Sequence, residues 1–300
     1  MTKIFECICF NLFGKCDTIT IHKGVNMDNK IKIALIYDFD NTLIKGDMQD
    51  CNFFDMLNIE KGDFWEFANK LMQENDMDGT LAYMYAALLV AKRNSTKVTK
   101  QMLIDCGKKI SSFYPGVIDW FDRINQYANS LGLDIEHYVV SGGYRDMIEN
   151  SKIAKYLTKV FACEYMYENG EAVWPAYVVN YTQKMQYIAR IKKHLVDVLY
   201  DSKEINKKFS EKEFYIPYTN MMYIGDGETD IPSMVMVKDN GGKSICVYDK
   251  DSVKAKNVAK TLLEDGRVDC SVVADYTEGS EFDIKVKAFL KEFKNSYDNK

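Results

Sequence analysis

The chain has 300 residues, enough for roughly two domains or for one core carrying a large insertion. Apolar residues make up 47% and charged residues 28%, ordinary globular usage that excludes a disordered or collagen-like chain. Lys and Arg total 39 against 44 Asp and Glu, and a net charge of −5 lacks the basic field of a nucleic-acid binder.

The longest purely apolar run, Leu81 to Ala91, is too short to span a bilayer, so no membrane partner is expected. Eight cysteines fall at 7, 9, 16, 51, 106, 163, 246 and 270 without a CxxC pair. That is the thiol usage of a reduced, cytoplasmic protein rather than a disulfide framework. Cys7, Cys9 and Cys16 lie close together, but no histidine or fourth thiol stands at zinc-finger spacing. Residues 1–26 read as a tail. Glu6 interrupts their apolar stretch, and no small-residue cleavage site follows, which argues against a signal peptide.

Residues 31–37 form a near-continuous β-rich run, read as a buried parallel strand that ends in Asp38-Phe39-Asp40-Asn41. Residues 50–135 have helical spacing. The segment 80–91 is apolar on every side and reads as the central helix of a small bundle. Pro115-Gly116 breaks the region before an amphipathic helix from Val117 to Leu131. A strand at 135–140 ends in Ser141-Gly142-Gly143, and a helix is expected from about Tyr144 to Tyr156. Residues 160–179 read as a hairpin turning at Asn169-Gly170. Thr182 is placed as the cap of a helix from Gln183 to about Val198. The charged stretch 201–219 reads as a surface insertion. Short strands follow at 221–224, 244–248 and 270–274.

This alternation predicts an α/β fold, a doubly wound parallel sheet with an inserted α-helical cap. The expected division is a core of residues 27–46 and 138–300 and a cap of residues 47–137. The cap would lie over the carboxyl ends of the strands, the edge at which open α/β sheets bind ligands.

Four places at that edge carry polar residues of a particular kind: Asp38, Asp40 and Thr42; Ser141-Gly142; Lys184; and Asp226 with Asp230. Asp38, Asp226 and Asp230 would repel one another strongly if ionised side by side. A divalent cation resolves this, and an oxygen-only ligand set suits Mg²⁺ rather than zinc. With a lysine and backbone N–H groups added, the site is one for a phosphoryl group. Taken singly, an Asp after a strand often only caps a turn. Lys192 and Lys193 share a predicted helix with Lys184, and Lys184 is preferred because it stands in the first turn, nearest the sheet edge.

Asp38-Phe39-Asp40-Asn41-Thr42-Leu43, Ser141-Gly142-Gly143, Lys184 and Gly225-Asp226-Gly227-Glu228-Thr229-Asp230 resemble, in order, the four motifs of the haloacid dehalogenase superfamily. The helical insertion between the first two motifs is similar to the cap of its phosphoserine-phosphatase-like branch. The resemblance spans about residues 31–290 and implies a Rossmann-like core. It implies Asp38 as nucleophile and Asp40 as general acid and base. It implies Thr42, Ser141, Gly142 and Lys184 around the phosphoryl oxygens. Asp226, Asp230, Asp38 and the Asp40 carbonyl are the implied ligands of Mg²⁺. Dehalogenases of the superfamily lack the second aspartate of the first motif, so Asp40 argues for phosphoryl transfer. The expected activity is a Mg²⁺-dependent phosphatase acting on a small phosphorylated metabolite through an aspartyl-phosphate. A mutase on the same scaffold and a non-catalytic phosphate-sensing module are the alternatives.

Other residues have both readings open. Arg145 is a substrate contact or a solvated helix start. Arg93 and Lys92 meet an anion or suit the helix dipole. The aromatic residues Phe53, Phe54, Phe64, Trp65 and Phe67 read as cap core. Glu164, Tyr165 and Tyr167 are candidates for the pocket rim. His137 and His194 are isolated and are assigned no chemistry, with a pH-sensitive surface role open to either.

Overall fold

The structure, a computed structural model, describes residues 30–197 and 202–299. The tail at 1–26, with Cys7, Cys9 and Cys16, lies outside the described residues. Seven strands form one sheet: β1 (Ile31–Tyr37), β2 (Leu133–Tyr144), β3 (Leu157–Glu168), β4 (Glu171–Tyr177), β5 (Met221–Gly225), β6 (Lys243–Tyr248) and β7 (Cys270–Val273). Their order is β4-β3-β2-β1-β5-β6-β7. All neighbours are parallel except β3 and β4, which form the expected hairpin. Asn169 and Gly170 at its tip both have positive φ, 50° and 80°, the geometry of a turn that follows the strand twist.

Ile33 to Tyr37 of β1 are fully buried because both faces of the sheet are covered. The chain moves outward from β1 in one direction through β2, β3 and β4. It then returns to β5 and moves outward in the other. The reversal of strand order therefore falls between β1 and β5, where such sheets leave a crevice. The register aligns the ends: Tyr37 is level with Val139 of β2 and with Ile224 of β5. Asp38, Ser141 and Asp226 thus leave the sheet at one edge.

Between β1 and β2 come α1 (Phe53–Met56), α2 (Lys61–Asn75), α3 (Gly79–Arg93), α4 (Lys100–Lys109) and α5 (Val117–Ser130). α3 is the buried helix of this group, with Ala82, Met84, Ala86, Ala87 and Val90 nearly inaccessible. Phe53, Phe54 and Phe64 pack edge to face in the same core, which is their expected role. The helical insertion ends earlier than expected. α5 buries Val117, Trp120, Phe121, Ile124 and Ala128 and packs on β2, which already begins at Leu133. Residues 117–137 therefore belong with the sheet rather than with the helical insertion.

The remaining helices are α6 (Arg145–Ile148), α7 (Tyr181–Lys193), α8 (Ser202–Asn206), α9 (Ile231–Asp239), α10 (Val253–Glu264) and α11 (Glu281–Asp298). α6 is four residues long, far shorter than the helix expected to Tyr156. Asn150 Nδ2 donates to Asp146 O, and Ser151 Oγ donates to Ile148 O, so these side chains end the helix in a turn. α7 is capped by Asn180, not Thr182. The extended Asn180 accepts at Oδ1 from the amides of Thr182 and Gln183. The segment 202–220 is tied down at its end: Ile216 is fully buried, and Tyr215 donates its hydroxyl to Glu136. No helix among the described residues is long and apolar enough to cross a membrane.

Candidate active site

Asp38 follows β1, and its amide donates to Ile224 O at 2.9 Å, which fixes the end of β1 against β5. The residue is buried, with its side chain 8% exposed. Lys184, in the first turns of α7, is equally buried and bridges two acids. Its Nζ lies 2.7 Å from Asp230 Oδ1 and 3.0 Å from Asp38 Oδ1. Asp230 is wholly inaccessible and receives two more donors, Tyr223 Oη at 2.6 Å and the Asp226 amide at 3.2 Å. Oxygens of Asp38, Asp226 and Asp230 lie within 4.8 Å of one another.

Gly225 lets Asp230 come this close, since a Cβ there would stand 2.4 Å from its carboxylate. Asp40 turns its Oδ1 to the amide of Met48 at 2.7 Å. Met48 in turn covers Gly143, where an added Cβ would meet Met48 Cε at 2.0 Å. Ser141 is buried, and its Oγ accepts from the Gly143 amide at 3.0 Å. The carbonyl of Gly142 accepts from Tyr83 Oη of α3 at 2.7 Å.

Burial and mutual repulsion raise the carboxyl pKa values. Burial pushes Asp38 up to about 6 against the pull of Lys184. Burial, with Asp38 and Asp47 nearby, lifts Asp40 well above the usual carboxylate range. Burial, with Asp230 and Asp38 nearby, does the same to Asp226. Burial works against the charge of Lys184, but Asp230 and Asp38 outweigh it and hold the ammonium protonated. Three carboxylates against one ammonium leave an excess of negative charge. Asp38 Oδ1 is buried, and the one ammonium near it is shared with Asp230. A hard, oxygen-seeking divalent cation fits this donor set.

Asp38, Asp40, Ser141, Gly142, Lys184 and Asp226 line one cavity of about 320 Å³, which Thr80 of α3 and Asn180 also reach. Asp230 stands behind Lys184 rather than in the wall.

No family model matches the chain. An uncharacterised protein of Borreliella burgdorferi is 31% identical over 277 residues, covering 83% of this chain and 93% of that one. The chain belongs to the family of that protein. Among solved structures, a haloacid dehalogenase family hydrolase from Salmonella enterica serovar Typhi superposes with a TM-score of 0.55 at 13% identity. The match covers 86% of this chain and 72% of that one. A phosphoserine phosphatase holding a phospho-aspartyl intermediate analogue gives 0.51 at 16% identity, covering 86% and 99% of the two chains. A probable phosphoserine phosphatase from Vibrio cholerae gives 0.54 at 11%, covering 90% and 69%. The fold is that of the haloacid dehalogenase superfamily, of the phosphoserine-phosphatase type.

Within this fold one expected site residue departs. Thr42 is fully buried and absent from the cavity wall. The turn that brings the Leu43 and Ile44 amides back to Phe39 O tucks it inward, and its Oγ1 has no partner. Lys192 lies over the rings of Phe214 and Tyr218, and Lys193 donates to Ile205 O and Lys207 O, so neither competes with Lys184.

Arg145 pairs with Glu164. Arg93 stacks on Phe67, beside a separate cavity. Tyr165 is buried and donates to Met84 O, and Tyr167 donates to Asp146, so neither forms a rim. His137 is buried, not at the surface, because β2 is covered on both faces. His194 has positive φ at the end of α7 and lies against Tyr215.

The residues that sequence reasoning missed are Asn180, Asp78 and Tyr83. Asp78 caps α3 through Oδ1, and its Oδ2 accepts from Asn180 Nδ2 at 2.9 Å. An asparagine ahead of a helical run is a readable cap signal, whereas nothing in the apolar run around Tyr83 marks its reach to Gly142.

Proposed function

We propose that this protein is a Mg²⁺-dependent phosphatase that hydrolyses a small phosphomonoester through an aspartyl-phosphate on Asp38. The observation that carries this reading is the buried Asp38–Lys184–Asp230 array with Asp226 alongside. Asp38, Asp226 and Asp230 would hold the ion, with the Asp40 carbonyl as a further ligand. Bound there, Mg²⁺ supplies positive charge to offset the carboxylates and the phosphoryl oxygens.

Asp38 attacks phosphorus, forming the Oδ–P bond as the P–O bond to the alcohol breaks. Asp40, whose burial favours the protonated carboxyl, gives a proton to the leaving oxygen. It then takes a proton from the water that attacks the phosphoryl group, which returns Asp38 and releases phosphate. Lys184 holds Asp38 in place and faces the charge that develops. Ser141 and the Gly142 amide cradle phosphoryl oxygens, with Thr42 supporting the turn.

α1–α4 act as a cap. Tyr83 and Asp78 tie them to Gly142 and Asn180 over the cavity, which excludes bulk water and large polymers. The five described cysteines are all free thiols, in keeping with a cytoplasmic setting.

Phosphate release from a panel of phosphomonoesters with Mg²⁺ tests the proposal. Turnover that vanishes in Asp38→Asn and with EDTA supports it. An Asp38→Asn protein that still releases phosphate at the wild-type rate refutes the nucleophile.

A further inference from the structure

A second cavity, of about 510 Å³, opens beside the loop at residues 41–46 and the start of α10. It shares Asn41, Asp226, Gly227 and Glu228 with the cavity that holds Asp38 and Lys184, so these residues form a common wall between the two. Its volume falls in the range that encloses a drug-sized ligand and greatly exceeds the need of a seryl group.

The wall is mixed. Tyr248, Ala255 and Val258 offer apolar surface, and Asp249 and Lys45, paired at 2.9 Å, offer charge. Tyr114 is 7% exposed and lines this cavity, yet its hydroxyl is buried with no hydrogen-bond partner. A buried hydroxyl without a partner is a loss that a ligand acceptor reaching it recovers. Burial, with Asp249, Asp226 and Asp251 nearby, raises the pKa of that phenol, so it stays a donor. A donor and a carboxylate acceptor beside apolar walls match a ring that carries both acceptors and hydroxyls, not an aliphatic chain.

We infer that this second cavity receives the alcohol half of the substrate, a ring-bearing alcohol of nucleoside size. It accepts from Tyr114 Oη and donates hydroxyls to Asp249, while its phosphoryl group lies at Asp38. This rests on the phosphatase reading above.

The test compares kcat/KM for nucleoside 5′-monophosphates, phosphoserine and acetyl phosphate with Mg²⁺, in the wild type, Tyr114→Phe and Ala255→Trp. A nucleoside monophosphate should be preferred over phosphoserine at least tenfold. Ala255→Trp, which fills the cavity, should cut the ratio of nucleoside monophosphate to acetyl phosphate at least tenfold. Tyr114→Phe should raise KM for the nucleoside monophosphate roughly fivefold, the loss of one hydrogen bond, while the free protein unfolds no more easily than the wild type. Acetyl phosphate turnover with a ratio that Ala255→Trp leaves unchanged overturns the inference and spares the phosphatase reading. No turnover of any ester or of acetyl phosphate overturns the phosphatase reading. Equilibrium binding of a nucleoside monophosphate with Mg²⁺ then decides the cavity: weaker binding by Ala255→Trp supports it, and no binding by the wild type ends it.

Discussion

His137 should make this fold acid-labile by an amount that its surroundings set. Trp120 Nε1 donates to Tyr37 Oη at 3.0 Å, and Tyr37 Oη lies 3.2 Å from His137 Nδ1. An indole N–H only donates, so the single Tyr37 proton points to Nδ1. Nε2 therefore carries the imidazole proton and donates to Asn125 Oδ1 at 3.0 Å. The edge of Phe121 closes the site, and no charged group faces the ring. Protonating Nδ1 would set two donors against each other in a dry pocket. Burial accordingly lowers the His137 pKa from 6.5 to about 3.

The folded pKa is depressed, so the unfolded chain binds the extra proton first. Stability is fully present above pH 6.5 and is lost as pH falls towards 3. At pH 4.5, two pH units below the unfolded value, the loss is about 3 kcal/mol at 1.36 kcal/mol per unit. Asp38, Asp40 and Asp226 act in the opposite sense, because their raised values favour the folded state as pH falls. The comparison must therefore be a difference. Denaturant unfolding of the wild type and of His137→Gln at pH 7.5 and 4.5 isolates the histidine. The wild type should lose about 3 kcal/mol relative to the variant. A difference between the two proteins that stays constant to about 0.5 kcal/mol would refute the buried, neutral imidazole.

Lys184→Met should lower turnover by roughly two to three orders of magnitude, measured as phosphate release. It should also cost about 3–5 kcal/mol in denaturant unfolding, because Asp230 keeps its burial and loses its ammonium. Asp226→Asn should raise the melting temperature of the metal-free protein by relieving repulsion, and should abolish the further rise on adding Mg²⁺. An undiminished Mg²⁺ response would remove Asp226 from the ligand set. Gly143→Ala sets a Cβ 3.3 Å from Asp40 Oδ2 and pushes the end of the Met48 side chain aside, so kcat should fall roughly tenfold or more with circular dichroism unchanged. Asn180→Ala should cost about 1 kcal/mol of unfolding free energy through the lost α7 cap.

What the sequence reveals here follows from the range of the interactions. Asp38, Asp226 and Lys184 are legible because carboxylates at strand ends beside a buried strand demand a counter-charge, and the register then brings them together. α3 is legible because a helix apolar on all sides must be buried. Thr42 misleads because its motif position points to the cavity, while the turn on Phe39 O directs the side chain into the core. The early end of α6 depends on Asn150 and Ser151 choosing backbone carbonyls over the helix, a contest that periodicity does not register. The Tyr83 bond to Gly142 spans 59 residues, and the Asn180 bond to Asp78 spans 102. Such pairings belong to the folded arrangement alone.

Those two long bonds also join the cover of the site to its electrostatics. Asp78 caps α3 with one oxygen and holds Asn180 with the other, and Asn180 caps α7. The Lys184 amide donates to Asn180 O at 3.1 Å, one turn along, and Lys184 Nζ then reaches Asp38 and Asp230. An opening of α3 away from the sheet must break the Asp78–Asn180 bond and the Tyr83–Gly142 bond together. It thereby loosens the helix that aims the ammonium and the loop that presents Ser141. On the phosphatase reading, the closed arrangement aims the lysine and braces the serine loop at once, the geometry from which Asp38 would act on phosphorus.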